Sequence, residues 1–146
     1  TFFGNLTVQI LIAMLIGEVV GAFLSDKLGK RAIQVSGGLL VAGIFMYLMV
    51  IATNPMLVIL AMSLSAMAWG FGVAAVFALL ARITTADVGA TAGGIFNGLG
   101  NFASASAPVI IGAIVMQTGS FNIGITFLAA VAVIGSFFLL PLLKRY

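Results

Sequence analysis

Cysteine and histidine are both missing from the 146 residues. Without cysteine there is no disulfide, thiolate metal site or thiol nucleophile. Without histidine the commonest general base and metal ligand is gone. Charge is nearly as scarce. Six Lys+Arg and three Asp+Glu make up 6% of the chain, against about 25% in a soluble domain whose surface faces water. Three acids leave a hydrolase or metalloenzyme almost no vocabulary, and no glycine-rich loop follows a strand to cradle a phosphate. The expectation is a protein that is not an enzyme and that uses no cofactor and no metal.

What fills the chain instead is apolar. Hydrophobic residues reach 63% and the mean hydropathy is +1.33. Runs of about 20 apolar residues are long enough to span a bilayer core as helices. Five such runs are predicted, at about 5–24, 33–52, 56–81, 88–116 and 121–143. They are separated by the charged stretch Leu24–Arg31, by Thr53-Asn54-Pro55, by Arg82 and Thr84–Asp87, and by Gln117–Ser120. The fold class is therefore an all-α membrane protein. Because the sequence starts at Thr1, almost inside an apolar run, it reads as a fragment of a longer chain.

The few charges carry topological information. With five spans, Lys27, Lys30 and Arg31 in the first loop, Arg82 in the third, and Lys144 and Arg145 after the last all fall on one side. The positive-inside rule makes that side cytoplasmic, so the C-terminus is expected in the cytoplasm. The same rule accounts for the sequence pI near 9.8 without invoking nucleic acid. Gly17 with Gly21, and Gly94 with Gly98, repeat the small-xxx-small spacing that lets helix backbones approach in lipid.

The stretch Ala22-Phe-Leu-Ser-Asp-Lys-Leu-Gly-Lys-Arg31 resembles the signature loop of the major facilitator superfamily, G-x-L-[AS]-D-[RK]-x-G-[RK]-[RK]. Leu24, Ser25, Asp26, Lys27, Gly29, Lys30 and Arg31 match it, and Ala22 replaces the leading glycine. A second stretch, Gly93-Gly-Ile-Phe-Asn-Gly-Leu-Gly-Asn-Phe-Ala-Ser-Ala-Ser-Ala-Pro108 with Ile111-Gly112 and Thr118–Phe121, is similar to the eleventh helix and following loop of the anion:cation symporters, a family that includes sialin-like and sugar-acid carriers. The resemblance implies a partial C-terminal six-helix bundle, its five spans corresponding to helices 8–12 of a twelve-helix fold. It implies secondary transport of a small organic anion, a sugar acid or another carboxylate, by proton-coupled symport and alternating access in a bacterial inner membrane. The partners implied are that substrate, the bilayer and the N-terminal half of the same transporter. A carrier of another small solute, or a non-transporting membrane subunit, is the alternative.

Particular residues follow. Asp26, Lys27, Gly29, Lys30 and Arg31 would form a gating loop, with Asp26 facing a neighbouring helix N-terminus, where the macrodipole favours negative charge. Asn97, Asn101, Ser104 and Pro108 share one face of the fourth span. With the resemblance, Asn97 and Asn101 are read as substrate contacts rather than interhelical ties. Trp69 lies mid-span, where its N–H needs a partner or a hydrated cavity, and Ser65 is its companion one turn earlier. Glu18 is the lone ionisable group well inside an apolar run, which makes it a candidate proton site or an ion-pair partner for Arg82. Gln9 sits near the outer end of the first span, where it would line an external vestibule.

Overall fold

A computed structural model describes residues 2–144, with side chains from Gly4 onward. Five long helices run α1 (Phe2–Leu28), α2 (Arg31–Ile51), α3 (Pro55–Ile83), α4 (Gly89–Thr118) and α5 (Phe121–Phe138). Each is long and apolar enough to cross a membrane. A 3₁₀ turn, Leu140–Leu142, follows α5.

The helix ends follow local chemistry. The Asn54 side chain accepts from the Met56 N–H at 2.9 Å and Pro55 takes the first helical position, where its missing N–H costs nothing. Gly29 and Gly119 adopt φ of 66° and 68°, the left-handed conformation that stops a helix and that glycine tolerates. Their N–H groups close on the Ser25 and Val115 carbonyls. Two boundaries differ from expectation. α1 continues to Leu28, so Asp26 and Lys27 belong to its last turn and the loop shrinks to Gly29-Lys30. α5 stops at Phe138 rather than 143, because Pro141 lacks an N–H and disfavours α geometry at the residue before it.

α3 is the hub. α1 and α2 both lie along it and scarcely touch each other, α5 packs on α2, and α4 crosses the remaining side against α5 and the end of α3. The contacts are made by small residues rather than by a core of large ones; among the described residues no large side chain is fully buried. A Cβ on Gly17 would collide with the Met67 carbonyl, and one on Gly38 would sit 2.7 Å from the Gly72 Cα. This is backbone-to-backbone packing, which suits helices that gain nothing from excluding lipid. At the basic end, Ala32, Val35, Ala75 and Leu79 form a small core capped by Leu139, Leu142 and Leu143. Lys144 follows at that same end; Arg145 lies outside the described residues.

Candidate functional site

Polar side chains inside the bundle fall into two sets. The first ties helices together. Gln34, buried on α2, donates both amide protons, to the Gly21 carbonyl of α1 at 2.7 Å and the Phe71 carbonyl of α3 at 2.8 Å. Ser36 and Ser136 join α2 to α5, each hydroxyl 2.9–3.1 Å from the other residue's carbonyl oxygen. Ser65 donates to the Ala42 carbonyl at 2.9 Å, so the proton that would have met a substrate is spent between α3 and α2. Gln34, Ser36 and Ser136 were not anticipated. The signal was there for Gln34, an amide among apolar neighbours, but a single polar residue does not reveal which carbonyls it will reach.

The second set borders cavities. One, of about 720 Å³, is bordered by residues of α1, α2, α3, α4 and α5, and brings together Trp69, Ser65 and Ser104. Met14, Met46, Met49 and Met62 also line it, four of the seven methionines in the chain. Methionine's flexible thioether accommodates changing shapes. A second cavity, of about 350 Å³, is bordered by Phe96 of α4 and shares Leu39, Trp69 and Gly135 with the first. Trp69 thus stands as a partition between two spaces and remains about half exposed, at 49%.

α4 closes this region loosely. No residue of α4 is buried. It is pinned by Phe96, edge-on to Phe77 with ring centroids 6.0 Å apart, and by Ile111 against Gly124. Gly94, just before the first pin, and Gly98 and Gly100, between the two, meet nothing within 4 Å. The tight contact expected at Gly17 and Gly21 is formed, while that at Gly94 and Gly98 has no partner helix among the described residues. Asn97 and Asn101 are exposed and border neither cavity. Asn101 Nδ2 donates to the Asn97 carbonyl at 2.9 Å, one turn back on its own helix. At about 100° per residue, both lie just beside the cavity-facing side that carries Ser104. Pro108 continues the helix without an N–H, which withdraws the donor normally given to the Ser104 carbonyl, at the cavity wall.

The charged turn has its own geometry. Arg31 Nη1 donates to the Ala78 carbonyl at 3.3 Å and Arg82 Nη1 to the Gly29 carbonyl at 3.1 Å, so the turn and the end of α3 hold each other. Lys27 Nζ lies 5.9 Å from the centroid of the Phe23 ring. The Asp26 carboxylate has no hydrogen bond or ion pair to another helix among the described residues. It is exposed in the last turn of α1, the end where the macrodipole disfavours an acid, because α1 runs on past the expected stop. The N-cap of α2 is Lys30, with no side-chain bond. Nor do Glu18 and Arg82 pair. Glu18 packs half-buried over Gly70, about 15 Å along α1 from its end, while Arg82 is engaged at Gly29. In the loop before α4, the Thr85 side chain and then the backbone hydrogen-bond Asp87, holding its carboxyl below the usual range.

Five membrane-length helices, a charged α1–α2 turn and cavities between the helices are the setting in which the family comparison applies. The sequence model of the Major Facilitator Superfamily matches residues 1–146. The chain belongs to that superfamily. It is an integral, multi-pass membrane protein of a transporter family, not an enzyme. It is 35% identical over 124 residues to the probable galactarate/D-glucarate transporter GudP of Bacillus subtilis (strain 168), covering 80% of this chain and 27% of that protein. It is 30% identical over 123 residues to the probable galactarate/D-glucarate transporter GarP of Escherichia coli (strain K12), covering 80% of this chain and 28% of that protein. The match thus spans little more than a quarter of these relatives. No solved structure matches significantly.

Proposed function

We propose that this chain is the C-terminal part of a secondary carrier for sugar-acid anions of the galactarate and glucarate kind. The observation that carries the reading is that curated relatives at 35% and 30% identity bear this substrate in their names. The five helices correspond to helices 8–12, and the N-terminal half of the same transporter supplies the opposite cavity wall. Substrate binds near mid-membrane, and the two halves rock to expose it alternately. Asn97 and Asn101 donate hydrogen bonds to the carboxylates and hydroxyls, with Trp69 and Ser104 behind them. Their exposure on the loosely held α4, beside the larger cavity, supports that role. Glu18 is the candidate proton site, and the Asp26–Arg31 turn gates against the other half. The carrier resides in a bacterial inner membrane with this C-terminus cytoplasmic.

The test is uptake by the full-length protein in proteoliposomes, supplied with galactarate, glucarate and a neutral sugar. Galactarate and glucarate uptake that acidifies the lumen is expected. Asn97→Ala with Asn101→Ala should lower kcat/KM by tenfold or more, since a hydrogen bond to a charged group contributes about 1.5–3 kcal/mol. Uptake of the neutral sugar alone would overturn the substrate class, and an unaltered double variant would overturn the site.

A further inference from the structure

A third cavity lies away from the proposed pathway. Because α1 and α2 both rest on α3 and not on each other, a groove of about 680 Å³ opens between them, floored by Met67, Ala68 and Phe71. By the helical step of about 100°, Met67 and Phe71 lie on the side of α3 away from Ser65 and Trp69, with Ala68 at the flank, and no residue lining this groove lines either of the other two cavities. The groove is therefore separate from the transport cavities.

Its shape and charge are those of a lipid site. Its walls run from Leu28 to Ile16 on α1 and from Ile33 to Val41 on α2. Twelve residues of helix make about 18 Å, close to the roughly 15 Å of one leaflet's hydrocarbon. The lining is apolar apart from Gln34 and Lys30, and no acid contributes to it. Lys30 stands at the basic-end mouth. Lys27, three residues after Leu24, falls on the same face of α1, and its ammonium has the Phe23 ring at 5.9 Å. Gly37 leaves the wall open, with nothing within 4 Å of where its Cβ would be.

We propose that this groove holds one acyl chain of an anionic phospholipid, whose phosphate meets Lys27 and Lys30. A basic side chain near an anionic lipid surface contributes about a fivefold gain in binding. The proposal shares Lys27 and Lys30 with the turn assigned above to gating, but it needs no sugar-acid substrate, and lipid retention reads it separately from uptake.

Native mass spectrometry of the delipidated full-length protein tests it, titrating phosphatidylglycerol against phosphatidylcholine of the same acyl chains. Phosphatidylglycerol should be retained in preference, and Lys27→Gln with Lys30→Gln should cost about fivefold per lysine. Gly37→Leu, which fills the groove without a clash at its Cβ, should release both lipids while the melting temperature stays near that of the parent. Equal retention of the two lipids, or retention indifferent to both variants, overturns the proposal. So does cross-linking of a Val41→Cys variant to a helix of the full-length protein outside α1–α5, since that would show the groove covered by polypeptide.

Discussion

α1 and α4 carry the same spacing of glycines, Gly17–Gly21 and Gly94–Gly98, with opposite results. On α1 an added Cβ at either glycine would strike the main chain of α3, at Met67 or Phe71. On α4 an added Cβ at either glycine would meet nothing within 4 Å. The spacing permits close approach but does not cause it. What brings α3 against α1 is the rest of that face: Gly70 returning the contact over Met14 and Glu18, and Gln34 bonding both helices at once. α4 has no such reciprocal partner at these glycines among the described residues, and its amides stay at the surface.

The comparison breaks most visibly if leucine is placed at each motif. Gly17→Leu in the full-length protein should abolish stable insertion, exceeding the ~3 kcal/mol usual for overpacking because the obstacle is backbone. Gly94→Leu should leave melting temperature and expression close to the parent. Equal damage at both would mean that α4 is as firmly packed as α1. A smaller effect is expected from Gln34→Leu, which removes both ties at the α1–α2–α3 junction. It should cost about 1–2 kcal/mol, read as a lowered midpoint in thermal or denaturant unfolding. The smallest concerns α2 and α5. A double-mutant cycle of Ser36→Ala and Ser136→Ala should give a coupling near 0.6 kcal/mol. Zero coupling would show that these two helices are held by shape alone.

Much of this architecture is legible in the sequence because hydrocarbon is a strict solvent. Apolar runs longer than 17 residues have one inexpensive conformation there, so the five helices and their breaks can be read directly. The placement of basic residues at one end is equally readable, and the Arg82–Gly29 bond joins two of the segments that carry them. Helix ends were harder. Asp26 and Lys27 look like loop because they are charged, yet the left-handed Gly29 is what stops α1. The site was the least legible part. Ser65, Gln34 and Ser104 are all small or amide side chains in apolar runs, and sequence cannot say which meets a carbonyl and which a cavity. That depends on the rotation of each helix about its own axis, which is set by contacts from elsewhere in the chain.

The Gln34 bridge also bears on how such a protein is made. Its two acceptors lie 13 residues before it and 37 residues after it. When α1 and α2 first enter the membrane as a hairpin, one amide proton has Gly21 and the other has no α3 to bond. An unpaired polar group in hydrocarbon is costly, so the hairpin is a provisional arrangement at the translocon. Synthesis of α3 supplies the missing carbonyl, and α1, α2 and α3 then settle together as one unit of biogenesis.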